Sequence, residues 1–506
     1  MLEQEIKLFV PPAARAAVRA SLAKLPGPRR VRMRAMYFDT VDRGLARQRA
    51  AVRLRQEGRQ WVQTFKMAGA DAVSRLELNH DRPGPELDLS VYAGTPAEAV
   101  FAQLQSELIL RYETDVMRLV REIRVRRTNI EIAYDVGVVK AGRFSAGIDE
   151  IEFERTAGWL DGVFHVAADW SAQHGLVLDA RSKAERGDAL ARAEATVMAA
   201  APEDQGEAEQ AELARLGLPV GAEKFALDAD VGAPEALARI CLAAYDQIVR
   251  NAVLIATVPG DAAEHVHQLR VGIRRLRSAW RFFRGWAELP PAAVEEGAKR
   301  YFAAFGEARD ADVMDGTVLP MLERAGMPPL PRRNDAQPVP ATSLVVDPGF
   351  QTWMLELLQW ISQPPRLPAA AEGTEAAPLV SLAARRLRKW HRELVRDGAG
   401  FTALPEEQQH TLRKEAKRLR YALGFVRNLF DADRTKAYLK ALSALQDLLG
   451  ELNDLAVARP HFLTRAHGEP AAWFAVGWIA ARSETLATQA EAALIELGKT
   501  KPFWKG

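Results

Sequence analysis

A single cysteine among 506 residues leaves no partner for an intrachain disulfide and no thiolate set from which a zinc site could be built. A reducing compartment suits such a chain, and the cytoplasm is the expected location. Long apolar runs are equally scarce. None approaches the roughly 18 to 20 residues that cross a bilayer, and the best stretch, Ala471 to Ala481 with two tryptophans, fits a buried helix. The opening Met-Leu-Glu-Gln-Glu-Ile-Lys lacks the basic and apolar parts of an export signal, so neither export nor membrane insertion is expected. Excess charge of one sign is missing too, because 68 Lys and Arg against 66 Asp and Glu leave a net charge of +2. Any anion-binding role must come from how charges are grouped.

A hydrophobic fraction of 48% with 26% charged residues describes a folded globular chain. Its length leaves room for about three domain equivalents at roughly 150 residues each. Up to about residue 155 the sequence alternates with period 2 in MLEQEIKL, AVRLRQE, WVQTFKM, SRLELN, REIRVRR, IEIAYDV and IDEIEFE. Repeated short strands of this kind predict an antiparallel sheet or barrel, with helices outside it at Pro12 to Lys24, Pro96 to Leu110 and Arg186 to Ala199. This strand-rich domain is expected to span residues 1–200. Residues 201–222 begin with APEDQGEAEQAE, almost devoid of large apolar side chains, and read as a linker or exposed connection.

Beyond the linker the apolar residues recur at helical spacing, as in PEALARICLAAYDQIVRNAVLIA and AYLKALSALQDLLGEL, which predicts a helical bundle. A Pro/Ala-rich stretch at residues 364–378 divides it into halves at 223–363 and 379–506. The halves repeat. HQLRVGIRRLR from His267 and HTLRKEAKRLR from His410 share six identities in eleven positions, and a Gly-Glu-then-Asp pattern follows at Gly306 and again at Gly450.

On a strand, Glu3, Glu5 and Lys7 project from one face, so two carboxylates and an ammonium share a space. Carboxylate oxygens suit Mg²⁺ or Mn²⁺, and such a metal can be shared with phosphate oxygens. Arg53 and Arg55, then Arg124 and Arg126, repeat the same-face geometry with guanidinium groups suited to phosphate, and Lys66 adds a further cation. Carboxylates at Glu77, Glu150, Glu152 and Glu154 repel one another unless cations or a metal offset them. A closed sheet with these residues inward would call for a polyanionic ligand and divalent ions.

The ordered motifs Glu-x-Glu-x-Lys at Glu3 to Lys7, YFDT at Tyr37, VRLR, TFK, SRLELN, YDVG, EIEFE and SK ending at Lys183 resemble those of the CYTH family, the triphosphate tunnel metalloenzymes. The resemblance implies an eight-stranded antiparallel tunnel that binds triphosphate groups with a divalent metal and commonly hydrolyses them, as bacterial inorganic triphosphatases do. Carried across, Glu3, Glu5, Glu152 and Glu154 look like the metal side, with Glu3, Glu5 and Lys7 as catalytic residues. Lys7, Arg53, Arg55, Lys66, Arg75, Arg124, Arg126 and Lys183 look like the phosphate-holding side. Related long members often place a tyrosine after the lysine of SK, where this chain has Ala184.

In the helical half, His267, Arg270, Arg274 and Arg277 fall at three- and four-residue spacing and form one stripe, reproduced by His410, Arg413, Lys417 and Arg420. Arg275, Lys414, Arg418 and Tyr421 belong to the same two motifs. This half resembles the CHAD domain, a duplicated all-helical module associated with polyphosphate binding. The combined expectation is an α+β chain in which a β tunnel is followed by an all-α bundle. It is expected to hydrolyse inorganic triphosphate to diphosphate and phosphate with Mg²⁺ or Mn²⁺, while the bundle holds long polyphosphate, which would allow association with polyphosphate granules in the cytoplasm. Thiamine triphosphatase, adenylate cyclase and a non-catalytic polyphosphate-binding granule protein are the alternatives. Nucleic acid is a disfavoured ligand, for want of a recognition motif.

Overall fold

The computed structural model describes residues 2–69, 73–331, 339–368, 377–500 and 503–504. Most of the expected 364–378 stretch lies outside them. The chain divides into two compact units, the first made of Met1–Gly221, Asp246–Leu269 and Ala341–Pro364, the second of Ala222–Tyr245, Arg270–Pro340 and Pro365–Gly506.

In the first unit, eight antiparallel strands close into a barrel. They are β1 (Leu2–Phe9), β2 (Arg29–Asp39), β3 (Ala50–Glu57), β4 (Gln60–Ala68), β5 (Ser74–Arg82), β6 (Ile109–Val125), β7 (Thr128–Ala141) and β8 (Phe144–Ala157). The order β5-β4-β3-β2-β6-β7-β8-β1 is completed by pairing of β5 with β1, and a two-residue β9 (Val177–Leu178) adds to β1. Closure leaves β1 to β8 without a free long edge. β2 was not among the alternating segments recognised in the sequence, although RRVRMRAMYFD follows the same period.

Helices α1 (Arg15–Ala23), α2 (Gly44–Arg47), α3 (Pro96–Ala102), α4 (Leu160–His174), α5 (Lys183–Ala199) and α6 (Gln205–Leu216) accompany the barrel. The expected helix from Pro96 to Leu110 stops at Ala102, and Ile109 already begins β6. The stretch read as a linker becomes helical from Gln205, because Glu, Gln and Ala favour helix and because Ala208 and Leu216 find an apolar surface to pack on.

The barrel is polar inside and apolar outside. On β3, Val52 and Leu54 are fully buried on the outer face, and Val52 joins Leu45, Phe65, Tyr92, Ala97 and Val100 beneath α2 and α3. On the far side α4 lies against β1, β7 and β8, where Phe153 meets Trp170 with ring centroids 5.9 Å apart. The alternate residues face the lumen, among them the charged Glu3, Glu5, Lys7, Arg53, Arg55, Lys66, Glu77, Arg118, Asp135 and Glu152. Part of that lumen is filled, since α5 packs Leu190, Ala191, Ala193 and Val197 onto Met33, Tyr37, Tyr112, Val116, Val139 and Ile148. Tyr37 and Tyr112 stack there with centroids 4.7 Å apart.

The remaining helices are α7 (Ala233–Thr257), α8 (Ala263–Phe283), α9 (Ala292–Val313), α10 (Leu319–Arg324), α11 (Ala341–Val345), α12 (Pro348–Ile361), α13 (Leu379–Asp397), α14 (Glu406–Val426), α15 (Ala432–Ala466) and α16 (Ala472–Lys499). Within the second unit α15 and α16 pair along their length around Leu455, Phe462, Ala475, Ile479 and Leu486. Among the described residues α7 alone is long and apolar enough to cross a membrane by length and composition, and 72% of its most apolar window is buried inside the protein.

The approach of α5 to the barrel wall depends on Gly187, where a Cβ would lie 2.1 Å from the Tyr112 ring. Gly187→Ala is expected to lower unfolding stability by about 2 kcal/mol through overpacking, measured by denaturant titration. An unchanged midpoint would show that α5 does not seat this closely.

Candidate functional site

Register decides which lumen groups meet. In neighbouring strands Glu5 stands opposite Glu154, Lys7 opposite Glu152, Glu3 opposite Arg75, Lys66 opposite Glu77, and Arg118 opposite Asp135. Three clusters result.

The first holds Glu3, Glu5, Glu77 and Glu154. Lys66 Nζ lies 2.8 Å from Glu3 and 3.1 Å from Glu77, and Arg75 Nε is 3.7 Å from Glu5. Four carboxylates thus face two cations, with like charges on directly opposed residues, an arrangement that is unfavourable by itself. Burial pushes the Glu3 carboxyl up to about 8 against the pull of Lys66, with Glu5 and Glu77 adding repulsion. Burial likewise pushes Glu154 up to about 7, with Glu5, Glu131 and Glu77 contributing and Lys66 opposing. Burial would raise Glu77 as well, but Lys66 and Arg53 outweigh it and hold that carboxyl at about 2.

The second cluster is Asp135, Glu150 and Glu152, whose ligand oxygens all lie within 4.8 Å of one another and could hold a divalent metal. Those oxygens already have cations. Lys183 Nζ stands 2.7 Å from Asp135, 2.5 Å from Glu150 and 2.7 Å from Glu152. Arg118 makes a bidentate pair with Asp135 at 2.7 and 2.6 Å and reaches Glu152 at 2.6 Å, while Arg186 pairs with Glu150. Three carboxylates meet three cations, and a metal ion would have to displace Lys183. Despite burial, which opposes the charged form, Lys183 and Arg118 keep Asp135 and Glu152 below the usual carboxylate range.

The third cluster is cationic. Arg53 donates from Nη1 to the Tyr37 hydroxyl at 3.0 Å, and Arg55 pairs with Glu57 at 2.5 Å. Both Nε atoms are buried without a hydrogen-bond partner. Burial, followed by repulsion from Arg53, lowers Arg55 to about 10. Buried, underused guanidinium donors suit an anion.

Of the residues expected to hold phosphate, Lys7, Arg53, Arg55, Lys66, Arg75 and Lys183 line this interior. Lys7 donates to the carbonyl of Arg181. Arg124 and Arg126 do not join them, for both are exposed at the tip of the β6–β7 hairpin, where Arg126 and Arg127 form the turn with φ of 48° and 62°. The lumen cation of β6 is Arg118, six residues before Arg124 on the same face. Arg118 escaped the sequence reading because its segment, ETDVMRLV, hides a strand that extends well beyond REIRVRR.

In the second unit the basic stripes of α8 and α14 converge. Arg274 Nη1 lies 3.4 Å from the Tyr421 hydroxyl. Burial first, and then repulsion from Arg274 and Arg413, drives Lys417 down to about 7. Arg413 is lowered by burial and by Arg274, with Asp454 opposing. Lys414 is exposed, and His410 Nδ1 lies 2.9 Å from Asn453 Oδ1. Arg275 is 6% exposed, and Arg418 stacks over Trp390 at 4.6 Å. His267 and Arg270 lie one turn apart on α8. Phe302 of α9, unnoticed in the sequence, lies under Arg270, Arg274 and Arg277.

Comparison with known proteins places these clusters in context. Residues 1–187 match the CYTH domain and residues 239–463 the CHAD domain. The chain is 32% identical over 158 residues to an inorganic triphosphatase of Haemophilus influenzae, a match covering 30% of this chain and 44% of that protein. It is 25% identical over 464 residues to an uncharacterized protein of Mycobacterium tuberculosis, covering 85% and 82% of the two chains. The crystal structure of the CHAD domain from Ricinus communis aligns with 56% of this chain and 98% of its own at 28% identity and a TM-score of 0.44. The chain consists of a CYTH domain fused to a CHAD domain and is homologous to a bacterial inorganic triphosphatase.

Proposed function

We propose that the barrel hydrolyses inorganic triphosphate to diphosphate and phosphate with Mg²⁺ or Mn²⁺, and that the helical unit binds long-chain polyphosphate. The observation that carries the first part is the unequal compensation inside the lumen. Glu3, Glu5 and Glu154 have too few cations, while Arg53 and Arg55 keep buried Nε donors without a partner. A dication at the former and a phosphate chain at the latter would offset both.

The donor set at Glu3, Glu5 and Glu154 fits a hard dication, being all carboxylate oxygen and short of positive charge. Glu152 is the less available ligand, because Lys183 and Arg118 already occupy its oxygens. When bound, the metal would supply Lewis-acid stabilisation of phosphoryl oxygens and a more acidic water. Arg53, Arg55 and Lys66 would hold the phosphate chain and stabilise charge developing on the transferred group. Arg118 and Lys183 could turn to the same oxygens if Asp135, Glu150 and Glu152 release them. The bond broken is the terminal phosphoanhydride, attacked in line by water.

Glu5→Gln is expected to lower Mg²⁺- or Mn²⁺-dependent phosphate release from tripolyphosphate by on the order of a hundredfold. Equal rates for the two proteins would sink the role of Glu5. A panel adding ATP and thiamine triphosphate assigns the substrate, with cyclic AMP as the signature of cyclisation.

For the helical unit, support comes from the meeting of Arg274, Arg413, Lys417 and Tyr421 on neighbouring helices, which makes one cationic surface from two repeats. Lys417, held near 7 by burial and its neighbours, would be recharged by a bound polyanion. Polyphosphate affinity is therefore expected to fall about tenfold between pH 7 and pH 8.5 as the free protein loses that proton. Lys417→Ala should flatten the profile. A wild-type affinity constant over this range would count against Lys417 as a contact.

A further inference from the structure

Helices α14 and α15 are tied by two polar contacts with a gap between them. Gln446 of α15 donates from Nε2 to the carbonyl of Ala416 at 2.6 Å, and two turns further along Asn453 Oδ1 lies 2.9 Å from His410 Nδ1. The helices run in opposite directions across these contacts, so Gly450 falls between them, level with Arg413. It brings no side chain, and a Cβ there would meet nothing within 4 Å. A small space is thus left on α15 beside the cationic stripe of α14.

Lys417 is half-buried on that stripe, and one turn to either side of it stand Arg413 and Arg420. The Nε atoms of both arginines are buried without a hydrogen-bond partner, so each guanidinium keeps donor capacity that the protein does not use. Arg274 joins them from α8, with its Nη1 3.4 Å from the Tyr421 hydroxyl. Burial first, and then Arg274, Arg413 and Arg420, disfavour the ammonium form of Lys417 and hold it at about 7, with Asp454 of α15 opposing them. An ordinary exposed lysine is neutral in only about one molecule in a thousand at pH 7.5. Desolvation beside other cations is how a protein turns a lysine into a nucleophile, and the flanking guanidinium groups select an electrophile that carries a phosphoryl group.

We propose that Lys417 is an acylation site for small acyl phosphates, whose phosphoryl group binds Arg413 and its neighbours while the carbonyl carbon meets Nζ. The neutral amine attacks that carbon, a C–N bond forms, and the C–O bond to the phosphoryl group breaks. Hydrogen phosphate leaves with the proton that the amine gives up, and Lys417 is left as an uncharged amide. The reaction needs one phosphoryl group at the arginines and no polymer, so it stands apart from polyphosphate binding.

The test treats the full chain at pH 7.5 with acetyl phosphate and, in parallel, with the uncharged N-hydroxysuccinimide ester of acetic acid, following acetylation lysine by lysine by mass spectrometry. With acetyl phosphate, Lys417 should react about tenfold faster than Lys414, its exposed neighbour on the same helix. Inorganic phosphate should slow that reaction at Lys417 while sparing Lys414 and the reaction with the uncharged ester. Arg413→Gln should lower the ratio of acetyl phosphate rate to ester rate at Lys417 about fivefold, with an unchanged thermal midpoint. If the midpoint falls, competition by phosphate on the wild type decides alone. A Lys417 rate no greater than that of Lys414 would overturn the proposal. So would a Lys417 rate that phosphate leaves untouched, because an amine that is merely reactive takes any donor, or a ratio unmoved in the folded variant.

Discussion

The contact of Lys183 with Asp135, Glu150 and Glu152 is the interaction on which the barrel most depends. A closed antiparallel sheet sends every second side chain inward, and here many of those positions carry acids and bases, with apolar groups confined to the part that meets α5. Removing so many ions from bulk water is unfavourable unless each finds a partner. Lys183 sits at the start of α5, so the helix that fills part of the lumen with Leu190 and Ala191 also carries the cation that neutralises three strand carboxylates. Packing and charge compensation are thus delivered by one element, and the registers of β7 and β8 are tied to it.

Much of this was legible in period 2 alone. Alternation in AVRLRQE and EIEFE indicated which residues share a face, and the structure places Arg53 with Arg55 and Glu150 with Glu152 accordingly. Alternation does not say where a strand leaves the lumen. Arg124 and Arg126 keep the parity of Arg118 but are exposed, because β6 runs on past the end of its pairing with β2 at Val120 to a turn at Arg126 and Arg127. Composition misled at Gln205–Leu216, where few apolar residues suffice for a helix that has a surface to lean on. The gathering of Glu3 with Glu154 was legible only through the family resemblance and not through period 2, since it arises when β1 is flanked by β5 on one side and β8 on the other.

The helical repeats were visible as a repeated peptide, yet repetition conceals how differently the two copies are used. Arg275 and Arg418 are equivalent by sequence, but one is buried in the bundle and the other lies over Trp390. The first stripe rests on an aromatic ring, and the second is stabilised in part by Asp454 beside Arg413 and Lys417. A duplicated helix has the same polar face in each copy, and the neighbour it meets decides what that face can do.

The neutral knot around Lys183 has a consequence for how a phosphate chain would enter. A triphosphate reaching Arg118 or Lys183 would find them bound to carboxylates, so its gain there is a swap of one anion for another inside the protein. Bulk counterions take little part in such a swap, unlike on the open helical face, where binding an anionic polymer releases condensed ions into solution. On the proposed reading the chain would contain two anion sites with different ionic responses, an internal exchanger nearly indifferent to the surrounding salt and an external one that yields to it.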